Sequence, residues 1–165
     1  MTRTLILMRH AKSSWGDPGL DDHDRPLNNR GRRSAVALGA WLAREGFVPD
    51  QVLCSTATRT QHTFKGLGIG VQPSLRPDLY HADPADMLAA LRDATGQTVL
   101  LIGHNPGIAD FAQQLVANPP QHDRFEDYPT GATLVARFDI EVWTALEPGT
   151  GAAAGFVIPR ELTDG

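Results

Sequence analysis

With one cysteine, Cys54, the chain can form no internal disulfide. Placed in an apolar run, Cys54 reads as a small buried hydrophobe. No apolar stretch approaches the length of a membrane span, and the N-terminal run is too short for a secretory core. A soluble, cytoplasmic protein with no membrane partner is expected. No basic block stands out: 15 Lys and Arg against 19 Asp and Glu give a net charge of −4, which argues against nucleic acid as a partner. The six histidines form no HxxxH pair and no HExxH motif, and a lone cysteine offers no thiolate cluster, so no metal or other cofactor is expected. Gly66, Gly68 and Gly70 lack the Lys-Ser/Thr that would complete a Walker loop; they read as a helix terminator and turn. No linker, repeat or second core interrupts the 165 residues, which read as a single domain over 1–165, with a monomer expected.

What is present is an alternation of buried strands and helices. Residues 5–8, Leu-Ile-Leu-Met, suit a strand covered on both faces of a parallel sheet, and the run stops abruptly in Arg9-His10. Residues 14–29 form a polar loop broken by Gly16, Pro18, Gly19 and Pro26, long enough to suggest a functional role. Asn28 or Asn29 can cap a helix in which Ala35, Leu38 and Leu42 recur at helical spacing and which Gly46 ends. A short strand over 51–54 leads to Thr56, which reads as the cap of a helix carrying Arg59 in its first turn. A brief strand over 71–75 follows, and then Asp83-Pro84 with Asp86, a strong helix start. Residues 99–102, Val-Leu-Leu-Ile, form a second fully buried strand ending in Gly103-His104, and Asn105-Pro106 opens the next helix. Beyond the loop at 119–131, residues 134–138 read as a strand, 142–146 as a further one, 149–155 as a flexible Gly-rich loop and 156–159 as a short edge strand. This order implies right-handed β-α-β crossovers: a three-layer α/β/α sandwich, mainly parallel, with an antiparallel edge.

Arg9, His10, Arg59 and His104 each follow a strand of this sheet, and in open α/β sheets such strand ends share one ligand-binding edge. Any one of them alone is an ordinary surface or turn residue. Together, two arginines and two histidines beside a helix N-terminus suit a phosphoryl group, because planar guanidinium forks match its oxygens. A neutral histidine with one free ring nitrogen can act as a nucleophile, and neighbouring arginines disfavour its protonated form. The other histidines (His23, His62, His81 and His122) read as surface or turn residues.

The motifs bear a resemblance. Residues 7–12 (Leu-Met-Arg-His-Ala-Lys), 55–63 (Ser-Thr-Ala-Thr-Arg-Thr-Gln-His-Thr) and 103–107 (Gly-His-Asn-Pro-Gly) are similar, in order, to three motifs of the histidine phosphatase (phosphoglycerate mutase-like) superfamily. Leu27 and Gly31 fit a further part of its pattern. The compact length and the stretches 8–15, 22–27 (Asp-His-Asp-Arg-Pro-Leu) and 104–107 (His-Asn-Pro-Gly) are most similar to the SixA branch, phosphohistidine phosphatases. The resemblance implies that His10 is the phosphoryl-accepting nucleophile. It makes Arg9 and Arg59 phosphate-binding, and His104 a second catalytic histidine that also holds the phosphoryl group. It also implies a metal-independent hydrolysis through a phosphohistidine intermediate. Ala11 stands where the family has glycine, and Gly16 where mutase-like members carry asparagine. Between residues 75 and 97 there is room for a turn and one helix, but for no large lid insertion bearing a carboxylic acid. The general acid is therefore open among Asp22, His81, Asp83 and Asp86, the last two having a sufficient role as helix caps. A site without a lid favours a phosphohistidine-bearing protein as substrate. A small phosphorylated metabolite, or a non-catalytic phosphate-binding module, is the alternative.

Overall fold

A computed structural model describes residues 2–163 of the chain. Its strands are β1 (Arg3–Arg9), β2 (Gln51–Ser55), β3 (Pro73–Arg76), β4 (Thr98–Gly103), β5 (Thr133–Phe138) and β6 (Ala152–Val157). Its helices are α1 (Asn29–Glu45), α2 (Thr58–Leu67), α3 (Pro84–Arg92) and α4 (Gly107–Leu115). The six strands form one sheet in the order β3-β2-β4-β1-β5-β6. The first four strands are mutually parallel; β5 runs antiparallel to β1, and β6 antiparallel to β5. Among the described residues no helix is long and apolar enough to cross a membrane.

The continuous apolar runs predicted the centre of this sheet because each residue there faces a packed layer. Leu5 and Leu7 point into the core beneath α3 and α4, while Ile6 and Met8 point into the core beneath α1 and α2. Strand β4 divides the same way, Val99 and Leu101 against Leu100 and Ile102. All eight side chains are fully buried, each contributing about 1.5–3 kcal/mol of transfer free energy. Cys54 is buried in the second core, and burial pushes its thiol up to about 12.

Helix ends follow the expected chemistry in part. Asn28 caps α1 by accepting from the Gly31 N–H, and Gly46 closes it in the left-handed conformation. Asp83 and Asp86 form a reciprocal capping box on α3. Helix α2, however, begins after Ala57 with no side-chain cap, and Thr56 instead meets the His23 ring. Helix α4 begins at Gly107, and Asn105 reaches over it to accept from the Ala109 N–H.

Two assignments at the C-terminal end change. Residues 142–146 are not a strand; Trp143–Ala145 is a 3₁₀ turn. The turn puts Trp143 and Leu146, three apart, into the same core, and the Trp143 indole donates to the Gly96 carbonyl at 2.6 Å. The supposed Gly-rich loop at 149–155 contributes residues 152–155 to β6, and the edge strand expected over 156–159 contributes only Phe156 and Val157. The alanines of β6 carry no periodic apolar signal, so the pairing rests on backbone hydrogen bonds to β5.

Two glycines set how closely the segments of the active edge approach. A Cβ on Gly31 would lie 2.0 Å from the Lys12 carbonyl oxygen, and one on Gly107 2.0 Å from that of Ala82. Only the absence of a side chain lets α1 rest on the chain just after His10, and α4 on the loop after Tyr80.

Candidate active site

The C-terminal ends of β1, β2 and β4, adjacent in the sheet, deliver His10, Ser55 and His104 to one edge, and the first turn of α2 adds Arg59. All four residues sequence reasoning singled out, Arg9, His10, Arg59 and His104, line a single cavity of about 420 Å³. The His10 and His104 ring centroids lie 5.3 Å apart.

His10 is held on three sides. Its N–H donates to the Gly103 carbonyl, its carbonyl accepts from Gly131, and its Nδ1 lies 2.7 Å from the Ala11 carbonyl oxygen. A carbonyl only accepts, so Nδ1 carries the proton and Nε2 is the bare nitrogen. Ala11 is anchored in turn: its N–H donates to Thr63 Oγ1, which donates to the Arg59 carbonyl. The Ala11 methyl group is fully buried. Burial above all, with the charges of Arg9, Arg59 and Arg25, lowers the His10 pKa to about 3, against the Ala11 hydrogen bond.

His104 has the complementary arrangement. Arg59 Nη2 sits 3.3 Å from its Nδ1, and because a guanidinium only donates, Nδ1 accepts. Its Nε2–H therefore donates to Ser55 Oγ at 2.8 Å. Burial first, then His10, Arg59 and His81, lowers its pKa to about 3 as well. Both imidazoles are neutral at neutral pH.

The loop at 14–29 completes the site. Arg59 Nη1 donates to the Asp22 carbonyl (2.7 Å) and Nη2 to Asp22 Oδ2 (3.0 Å). Arg25, buried beneath the exposed ring of Trp15, donates to Asp22 Oδ1, Ser13 Oγ and the Ser14 carbonyl. Tyr80 closes the network by donating to Asp22 Oδ2 at 2.5 Å. The Tyr80 hydroxyl, then Arg59 and Arg25, hold the Asp22 carboxyl well below the usual carboxylate range, against its partial burial. Among the general-acid candidates Asp22 is thus ionised at rest and serves as a clamp on both guanidiniums. Asp83 and Asp86 are occupied with each other, whereas His81, read from sequence as a surface or turn residue, stands in the cavity wall 6.4 Å from the His104 ring.

Arg9 supplies the other cationic wall. Its Nη1 donates to the Tyr128 carbonyl, while its buried Nε has no partner, a donor without an acceptor of the kind a bound anion satisfies. Helix α4 contributes less than its position suggested. The Ile108, Ala109 and Asp110 N–H groups already donate to the His104 carbonyl, Asn105 Oδ1 and the Pro106 carbonyl, so these three are not open to an anion. Arg25, Ser55 and Tyr80 were not singled out from sequence. Ser55 at the end of β2, mirroring His10 and His104 at theirs, was the one legible signal.

A neutral histidine with a bare nitrogen facing converging guanidiniums is equipped to accept a phosphoryl group. The family model for the histidine phosphatase superfamily (branch 1) matches residues 5–87. The chain belongs to the histidine phosphatase superfamily. It is 37% identical over 160 residues to an uncharacterized protein of Mycobacterium tuberculosis, covering 93% of this chain and 100% of that one. Two solved structures assigned as SixA phosphohistidine phosphatases share the fold. One, from Nakamurella multipartitia, is 32% identical with a TM-score of 0.86, over 96% of this chain and 97% of that one. The other, from Agrobacterium tumefaciens, is 25% identical with a TM-score of 0.78, over 95% and 98%. The chain is a phosphatase of the SixA-type branch, and its third motif, around His104, lies beyond the span of the family model.

Proposed function

We propose that this histidine phosphatase hydrolyses phosphohistidine on proteins, with His10 as nucleophile. The observation that carries the reading is the open pocket without a poised carboxylic acid. Between β3 and β4 the chain adds only a 3₁₀ turn and α3, and the candidate carboxyl in the cavity, Asp22, is an ionised clamp. An alkoxide leaving group needs a proton in the transition state, whereas imidazole leaves readily once its ring nitrogen is protonated. The rim, with Trp15 and Lys12 exposed, leaves room for a side chain still attached to its protein.

In this reading Arg9 and Arg59 bind the phosphoryl oxygens, and Arg25 adds positive charge beside them. His10 Nε2 attacks phosphorus as the bond to the substrate nitrogen breaks, and the departing imidazole keeps its proton. His104, its Nε2–H fixed by Ser55, takes up a proton on Nδ1 as Arg59 shifts onto the oxygens and donates it to the phosphoryl group, whose negative charge favours the protonated ring. Water then attacks the phosphorus on His10, releasing inorganic phosphate and restoring neutral His10. The same scaffold supports hydrolysis of a small phosphate ester, so the test compares donors. Acid-quench mass spectrometry of wild type and His10→Ala, with a phosphohistidine peptide and p-nitrophenyl phosphate, is expected to trap phosphate on His10 alone. Turnover of the peptide is expected to be the faster. Faster turnover of the ester would assign a small-molecule substrate, and no label on His10 would leave a phosphate-binding module.

A further inference from the structure

We infer that a second, basic hollow beside the catalytic cavity receives an acidic side chain flanking the phosphorylated residue of the substrate protein. This inference rests on the protein-phosphatase reading above and adds what its substrate must carry.

The hollow, about 370 Å³, collects cations from four separate parts of the chain: Lys12 after β1, Arg30 at the start of α1, Arg124 before β5 and Arg160 after β6. Arg124 is bound to Asp127, 2.9 Å away. Among the described residues Lys12, Arg30 and Arg160 have no ion-pair partner, and Asp127 is the only carboxylate in the lining. Scattered surface cations are ordinary. Their convergence on one concavity, in a chain with net charge −4, is not, because like charges gathered there repel one another and focus a positive field on the space between them.

Arg9, Lys12 and Thr130 line both this hollow and the catalytic cavity. An anion in the hollow therefore sits beside the phosphoryl group, where one substrate surface can supply both. The walls between the cations, Pro129, Ile158 and Pro159, are apolar and suit the methylene stem and backbone of a peptide better than a bare inorganic ion. Glutamate or aspartate next to the phosphohistidine fits this chemistry.

The test uses two phosphohistidine peptides differing only in flanking Glu residues replaced by Gln, with p-nitrophenyl phosphate as a substrate lacking the second anion. Arg30 and Arg160 are exposed and take no part in the catalytic network, so Arg30→Gln/Arg160→Gln is expected to fold, which its thermal unfolding checks. The double variant is expected to lose about tenfold in kcat/KM on the acidic peptide, and less than twofold on the neutral peptide and on p-nitrophenyl phosphate. Added salt is expected to erase the wild type's preference. Equal losses on both peptides, or none, would overturn the inference. Binding of the same peptides to His10→Ala, followed by fluorescence anisotropy, reads the hollow without turnover. A preference for the acidic peptide there, with no hydrolysis by wild type, would sink the phosphatase reading and keep the hollow. Loss of binding to a small alkyl bisphosphate, with acidic-peptide binding unchanged, would assign the hollow to metabolites instead.

Discussion

Ser55→Ala tests whether His104 depends on a fixed tautomer. Ser55 is fully buried and its Oγ accepts the His104 Nε2–H at 2.8 Å; it also accepts, more weakly, from the Ala57 N–H at 3.3 Å. Removing the hydroxyl leaves a buried imidazole N–H without an acceptor, at a cost of about 1–3 kcal/mol. For a domain of this length that lowers Tm by about 3–9 °C. The catalytic loss has a separate origin. With Oγ gone, the proton is free to move to Nδ1 and the ring to rotate, so the productive arrangement becomes one of several. A loss of about 1.4–2.7 kcal/mol in transition-state binding, the value of one to two hydrogen bonds, corresponds to a tenfold to hundredfold lower kcat. Steady-state kinetics with p-nitrophenyl phosphate, alongside thermal unfolding, measures both. KM is expected to change little, because Arg9 and Arg59 remain. Activity within twofold of wild type at unchanged Tm would refute the assignment of Ser55 as the positioning residue for His104.

Three further outcomes follow from the same geometry. His10 and His104 stay neutral in the fold down to about pH 3, whereas unfolded histidines bind protons from about pH 6.5 downward. Their contribution to stability is therefore full above pH 6.5 and falls as pH drops from there toward 3, by about 2 kcal/mol for each at pH 5. Denaturant titration at pH 7 and pH 5 reads the loss, and NMR titration of either ring near pH 6.5 would contradict it. Gly31→Ala places a Cβ 2.0 Å from the Lys12 carbonyl oxygen, which must force α1 away from the loop after His10. It is expected to cost about 3 kcal/mol or more in urea unfolding and most of the activity, and a neutral result would disprove the close approach. Asp22→Asn removes the carboxylate that occupies Arg59 and Arg25. Inorganic phosphate is expected to inhibit about threefold to tenfold more tightly, while Tm falls; weaker inhibition would mean that Asp22 orients the arginines more than it competes for them.

Where sequence reasoning succeeded, the signal was local. The runs at 5–8 and 99–102 marked the two central strands because every residue in them is buried. Asn28, Gly46, Asp83 and Asp86 marked helix ends because each acts on backbone within a few residues of itself. Where it failed, the partner was distant or carried no pattern. The first four residues of β6, at 152–155, are small and are held by β5, and Trp143 sits in a turn because its indole finds the Gly96 carbonyl 47 residues away.

The site divides along the same line. Three short motifs, each following a buried strand, pointed by themselves to Arg9, His10, Arg59 and His104 sharing one cavity, since parallel strand ends meet at one edge. Only the tertiary structure decided how those groups are held: Asp22 on Arg59 across 37 residues, Tyr80 on Asp22 across 58, and Ser55 on His104 across 49. A hydrogen bond of this kind depends on where two loops come to rest, and that depends on the packing of the whole sheet and its helices.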